Sequence, residues 1–386
     1  MTLLLGIIYV AFISLGLPDA LLGSAWPTMH LDLQAPVSYA GILSMIITSG
    51  TIVSSMFSDK LTRKLGTGKV TAISVALTAA ALFGFSVAPS FWVLCLCAIP
   101  YGLGAGAVDA TLNNYIALHY EARHMSWLHC FWGLGASTGP YIMGACLTGG
   151  LHWSSGYRIV SVLQIVLTFV LFMSLPLWKG NRTAGEEGAQ TEELGFGKLL
   201  KLPGAKAGLL AFFCYCALEN TAGLWASSYM VMHRGVSETV AAGWAALFYL
   251  GITAGRFVSG FVTMKMNDRS MVRLGQGIAV VGIALLCLPL GNGGMCAGLA
   301  MIGVGCAPIY PSLLHETPEN FGAERSQSVM GLQMACAYMG TTLMPPVFGF
   351  LAENVTIALY PVFMLVIVVL MVAGSEKLNQ LHRIKR

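Results

Sequence analysis

Apolar runs of roughly 20 residues recur along nearly the whole chain and are the length a helix needs to cross a hydrocarbon layer of ~30 Å. They constrain the fold more than any single motif does. Length alone would suggest two or three soluble domains, but the periodicity overrides that prior. Only 10% of the 386 residues are charged and 56% are hydrophobic, whereas a soluble chain carries about 25% charged residues. So few ionisable groups cannot build a water-facing surface.

The runs predict helical spans near 2–25, 36–58, 69–89, 91–118, 123–149, 156–178, 206–232, 237–264, 270–290, 294–316, 323–351 and 354–375. The first begins without charge and continues through Gly16, Pro18 and Asp19 with no small-residue cleavage site, so a retained helix is expected rather than a removed signal peptide. No extramembrane domain is expected.

The basic residues support this count independently. With a cytoplasmic N-terminus, the even-numbered connectors and the C-terminal tail hold 18 of the 21 Lys and Arg residues, while the outer connectors hold only Arg158 and Arg234. Such asymmetry follows the positive-inside rule, and one missed helix would scramble it. Both termini are therefore expected in the cytoplasm of a multi-pass cell-membrane protein. The remaining cation, Arg256, falls inside the eighth span, and the net charge of +4 reflects topology rather than affinity for nucleic acid. All ten cysteines lie in or at the ends of apolar spans, with Cys95/Cys97 and Cys214/Cys216 two residues apart. They read as small buried hydrophobes without disulfide or metal spacing.

A polar stretch between Lys179 and Lys206, with Glu186, Glu187, Glu192 and Glu193, divides the spans six and six. The expected organisation is an N-terminal bundle over 1–178, a cytoplasmic linker over 179–205, and a C-terminal bundle with a basic tail over 206–386. The halves also resemble each other. Ser49-Gly50, Val53-Ser54-Ser55 and Lys60 match Ala254-Gly255, Val258-Ser259-Gly260 and Lys265 at a constant offset of 205 residues. Gly104 and Gly106 match Gly303 and Gly305, and Gly139-Pro140 with Gly144 matches Met344-Pro345 with Gly349. The fold class that results is an all-α membrane protein of twelve helices in two pseudo-symmetric six-helix bundles. Repeats of this kind hold substrate near the midplane and expose it to each side in turn.

Ser58-Asp59-Lys60-Leu61-Thr62-Arg63-Lys64, between spans two and three, resembles the acidic-then-basic loop of the major facilitator superfamily. Gly255-Arg256-Phe257 with Gly260 resembles its second-half counterpart. Ser55 and Thr62 stand where the loop usually has glycines. Within the superfamily, four stretches are similar to the fucose and hexose:proton symporter group. These are Gly16-Leu17-Pro18-Asp19 through Gly23 and Trp26-Pro27, Asp109 through Asn113-Asn114-Tyr115, Glu219, and Ala307-Pro308-Ile309-Tyr310-Pro311.

Ionisable groups inside a bilayer cost about 2.5–3.5 kcal/mol each on insertion scales and default to functional sites. Asp109 is the leading candidate for proton coupling. It lies well inside span four with Asn113 one turn on, and a partly desolvated carboxyl can exchange a proton near neutral pH. The alternative is a buried carboxylate that ties helices together. The symporter resemblance implies the coupling role, with Glu as that group's usual residue in this position. It also implies a role for Asp19, after the helix-breaking Pro18, in sugar binding or coupling. The competing reading is a break satisfied locally. Glu219 and Asn220 in span seven, with Trp225 and Tyr229 nearby, fit the carboxylate, amide and aromatic chemistry of a pyranose site, although aromatics in such helices more often face lipid. His129 in span five, with Trp132 one turn later, and Gln333 with Tyr338 in span eleven complete the substrate-binding candidates. Interhelical hydrogen bonding is the plainer role for each. Asp59, Lys60, Arg63, Arg256, Glu316, Glu324 and Arg325 are expected to form charge pairs at a cytoplasmic gate, with solvated loop charges the alternative for Glu324 and Lys64.

The function expected from these residues is proton-coupled uptake of a sugar or similar small polar solute by a working monomer, with the lipid bilayer as its only other partner. No cofactor, metal or nucleic acid is expected, because Gly102-Leu103-Gly104-Ala105-Gly106 lacks the strand context and third glycine of a dinucleotide loop and no phosphate loop occurs. The rival is proton-coupled efflux of an amphipathic compound, since Gly135 through Gly139-Pro140 and Gly144 is similar to the glycine-proline signature of antiporters. A receptor or membrane enzyme is disfavoured by the lack of a domain, a metal cluster or a nucleophile constellation.

Overall fold

The computed structural model describes residues 2–19, 21–36, 39–179, 195–236, 238–288 and 290–383, and no strand occurs among them. The acidic linker residues Glu186, Glu187, Glu192 and Glu193 lie outside the described residues. Helices are the expected outcome, because a bilayer offers no partner for backbone N–H and C=O groups and a helix satisfies all of them internally.

The first crossing is a broken helix, α1 (Thr2–Gly16) followed by α2 (Leu21–Asp32). Tight turns carry the chain over the break, with Asp19 N–H donating to Gly16 O and Leu21 N–H to Pro18 O, both at 3.1 Å. Then come α3 (Tyr39–Met56), the short α4 (Ser58–Leu65), α5 (Thr67–Val87), α6 (Phe91–His119), α7 (Ala122–Thr148), α8 (Trp153–Met173) and α9 (Leu175–Lys179). Beyond the linker follow α10 (Phe196–Leu199), α11 (Ala205–Arg234), α12 (Glu238–Val262), α13 (Asp268–Cys287), α14 (Gly291–His315), α15 (Thr317–Phe321), α16 (Ala323–Leu351) and α17 (Tyr360–Arg383).

Ten stretches among the described residues are long and apolar enough to span a membrane. One of them, Ala323–Leu381, is 59 residues long and contains both α16 and α17. The 27-residue α7 is not among the ten, because Arg123, His124, His129 and several glycines dilute its hydropathy. Counting α7 and splitting the long stretch gives twelve crossings among the described residues, as the charge alternation requires.

The chain divides into two compact units. The first comprises Met1–Tyr115, Leu128–Glu192 and Ala323–Gly331, and the second Ile116–Trp127, Glu193–Gly322 and Leu332–Arg386. In the first unit, a core of Leu17, Leu21, Trp26, Leu82, Phe85 and Tyr157 joins the broken first crossing to α5 and α8. Gly16, Gly135 and Gly139 let α1 and α7 meet backbone to backbone, since a Cβ on each would collide with the carbonyl oxygens of Trp132, Ile13 and Leu17 respectively. In the second unit, α14 packs on α12 and α13 while α11 packs on α17. Tyr360 Oη donates to Ala222 O at 2.6 Å and Gln276 Nε2 to Ser375 Oγ at 3.0 Å. Arg273 grips both Glu376 oxygens, at 2.6 and 2.7 Å. The repeat is visible in the contacts as well. Gly50 of α3 abuts Gly102 of α6, and its sequence counterpart Gly255 of α12 abuts Val304 of α14.

Candidate functional site

The first unit gathers two carboxylates, an imidazole and an indole around the broken first crossing. On α6, Asn113 follows Asp109 by one turn, and its Nδ2 donates to Asp109 Oδ1 at 2.8 Å and to the Asp109 carbonyl at 2.9 Å. The Asn113 Oδ1 faces His129 Nε2 of α7 at 3.1 Å. The amide spends its N–H on Asp109, so its oxygen must accept, and the His129 proton therefore sits on Nε2. The imidazole stands edge-on to Phe12 of α1, with ring centroids 5.6 Å apart. All three polar residues are buried, at 6%, 0% and 5% exposure for Asp109, Asn113 and His129. Asp109 is thus linked through one amide to α7.

Asp19 behaves differently. It is exposed, yet it is held by a donor from another helix. Trp132 Nε1 of α7 donates to Asp19 Oδ2 at 2.9 Å. Asp19 and Asp109 are near enough to interact electrostatically. His129 and Trp132 lie one turn apart on α7, so a single helix face meets Asp19 and the Asn113 that holds Asp109.

In the second unit, Glu219 of α11 pairs with Arg256 of α12, Oε1 to Nη2 at 3.4 Å, and Arg256 Nη2 also reaches the Tyr215 hydroxyl at 3.4 Å. Arg256, one of the residues expected at a cytoplasmic gate, is buried inside this unit, where Glu219 compensates its charge. Asn220 Nδ2 bonds Cys216 O at 3.0 Å and Thr341 Oγ1 at 3.1 Å. Trp225, the candidate sugar platform, donates its Nε1–H to Pro345 O at 3.0 Å and lies over Gly349, so it ties α11 to α16. Gln333 accepts from Thr317 Oγ1 at 3.0 Å. Tyr338, one turn and a half further along α16, is half-buried.

Of the remaining gate candidates, Arg63 Nε meets Asp59 Oδ1 at 2.9 Å, and Asp59 also accepts from the Ser328 hydroxyl. Within the same unit Gln327 Nε2 donates to Ser58 Oγ at 3.1 Å and Ser326 Oγ to Asn114 Oδ1 at 2.6 Å. Lys60 is exposed, and Arg325 pairs with its neighbour Glu324, at 3.7 Å. Glu316 pairs instead with Arg269 in the second unit, at 3.3 Å. Among the described residues no group of three or more His, Cys, Asp or Glu side chains has metal-binding geometry.

The sequence profile of the Major Facilitator Superfamily matches residues 8–247 and 207–375. The chain belongs to this superfamily. It is an integral, multi-pass membrane transporter and not an enzyme. Among relatives, the membrane protein MosC of Rhizobium meliloti is 23% identical over 367 residues, 92% of this chain and 86% of the relative. The glucose/mannose transporter GlcP of Bacillus subtilis is 21% identical over 321 residues, 79% of this chain and 77% of the relative. The chain spans 56% of a yeast relative, Bypass of stop codon protein 6, at 25% identity.

Solved structures give the fold. FucP in the outward conformation aligns with a TM-score of 0.80 at 15% identity, covering 97% of this chain and 98% of that one. The proton:xylose symporter XylE aligns at 0.78 with 12% identity, covering 96% and 94%. A bacterial homologue of the iron transporter ferroportin aligns at 0.77 with 13% identity, covering 97% and 99%. Scores this close show a shared fold and do not choose among cargoes.

The sequence pointed to Asp109, Asn113 and His129, and the structure joins them in one chain. It did not single out Trp132 as the partner of Asp19. The one sequence signal was the spacing of Trp132 from His129.

Proposed function

We propose that this transporter takes up a sugar or a similar small hydroxylated solute, coupled to protons, by alternating access. The observation that carries the reading is the pairing, within one unit, of a buried carboxylate in the Asp109–Asn113–His129 chain with an accessible carboxylate at Asp19. The buried acid suits a proton that must be kept from bulk water during the transport cycle, and the accessible one suits cargo hydroxyls. The similarity to the glucose/mannose transporter GlcP supports the cargo class. On this reading the protein works as a monomer in the cell membrane with both termini cytoplasmic, driven by the ion gradient without a cofactor. Asp59, Lys60, Arg63 and Arg325 then set the rate of opening on the cytoplasmic side.

Proton-coupled efflux of an amphipathic compound is the second reading. The glycine-proline stretch of α7 motivates it, but Gly135 and Gly139 are accounted for by the close approach of α1. In proteoliposomes with an imposed proton gradient, labelled sugar should accumulate and a protonophore should abolish the accumulation. Raised drug tolerance of expressing cells without sugar uptake would favour efflux.

A further inference from the structure

We infer that Tyr249 of α12 is a cargo-binding residue of the second unit, where its phenol holds a hydroxyl of the solute. This rests on the reading of the cargo as a sugar or similar hydroxylated solute, and it adds an aromatic contact that Trp225, tied to α16, does not offer.

Tyr249 is the twelfth of the 25 residues of α12 and is 56% exposed. Its hydroxyl lies against Gly223 of α11, where a Cβ would collide with it, one turn beyond Glu219 on the same helix face. Tyr215, Tyr229, Tyr310 and Tyr360 of this unit have their hydroxyls engaged by Arg256, Arg234, Met334 and Ala222 respectively. The Tyr249 hydroxyl makes no hydrogen bond among the described residues. A phenol both donates and accepts, so this group is available to a solute O–H.

A position facing lipid would explain the exposure but not the hydroxyl. Hydrocarbon offers no partner to an O–H, and tyrosines that face lipid gather at the two interfaces rather than at mid-helix. Helix geometry also sets Tyr249 apart from the apolar surface of α12. Arg256 and Gly260 follow it by about two and three turns and so share its face. On that face Arg256 meets Glu219, and Gly260 receives the Trp127 ring of α7. Leu250 and Phe257, exposed and apolar, lie roughly 100° around the helix. Tyr249 thus lies on a face that is covered at Arg256 and Gly260 and open at its own level. An exposed phenol with a glycine beneath it suits a flat, hydroxylated ring, because the aryl face packs on C–H groups while the hydroxyl bonds an O–H.

Tyr249→Phe keeps the ring and removes the hydroxyl. In proteoliposomes supplied with labelled glucose, mannose, fucose or xylose, its KM for the sugar that the wild type takes up is expected to rise about three- to tenfold, the effect of one hydrogen bond. The maximal rate and the melting temperature should stay unchanged. In the full-length protein, Tyr249→Cys should react with a charged, membrane-impermeant thiol reagent, read at that residue by peptide mass spectrometry, and the transported sugar should slow the reaction. Leu250→Cys, on the apolar face, is the control and should stay unmodified. Uptake by Tyr249→Phe with the wild-type KM, or modification of Tyr249→Cys no faster than that of Leu250→Cys, overturns this inference while the sugar reading stands. No uptake of any of the four sugars by the wild type overturns both. If Tyr249→Cys does not fold, the KM of Tyr249→Phe decides.

Discussion

Replacing Glu219 by Met leaves Arg256 as an uncompensated charge inside the second unit. The pair is 3.4 Å apart, with side chains 18% and 5% exposed. At that separation Coulomb's law gives about 5 kcal/mol for an effective dielectric near 20. Breaking a buried pair by removing one partner costs about 3–5 kcal/mol in practice, while replacing both partners by apolar side chains of similar volume is often neutral. The hydroxyl of Tyr215 offsets part of the loss, which places the expected cost near 3 kcal/mol. Purified Glu219→Met protein should therefore melt well below wild type in detergent, and Glu219→Met/Arg256→Met should recover most of the difference. If Glu219→Met melts with the wild type yet no longer transports, the carboxylate serves cargo rather than Arg256, and the assignment of the pair as internal charge compensation is wrong.

Other consequences are equally direct. Gly303→Ala puts a methyl group against the Phe248 carbonyl and should cost about 1–3 kcal/mol, or folding itself, through separation of α12 and α14. Gly144→Ala, where nothing lies within 4 Å, should leave melting unchanged or raise it by up to ~1 kcal/mol. A comparison of the two melting curves checks both. Trp225→Phe loses one N–H···O bond to Pro345, so a stability loss of about 1 kcal/mol with an unchanged KM for uptake is expected. A large rise in KM would restore Trp225 as a sugar platform. Arg63→Ala removes a partly exposed pair worth at most ~1 kcal/mol, and initial-rate measurements should show a changed maximal rate at constant KM.

The crossings and the leading acid were legible because each has a local cause. Span length and charge alternation are counted along the sequence, and Asp109 with Asn113 are one turn apart on one helix. The partners of Arg256 were not legible, because its place inside the eighth span names none, and only the tertiary contact with α11 brings Glu219 and Tyr215 to it. Trp132 was visible as a neighbour of His129, but its bond to Asp19 depends on the α1–α7 seam that Gly16, Gly135 and Gly139 create. Close approach of helices around a break has no one-dimensional period, so the donor that meets Asp19 there cannot be read from spacing.

The central claim, that Asp109 carries the coupled proton, is tested most directly in proteoliposomes with Asp109→Asn. Asparagine keeps the shape of the side chain and cannot carry the charge. The expected result is loss of gradient-driven accumulation with sugar counterflow preserved, because exchange of cargo needs the binding site and not the proton. Accumulation by Asp109→Asn that depends on the proton gradient as steeply as the wild type's would contradict the account.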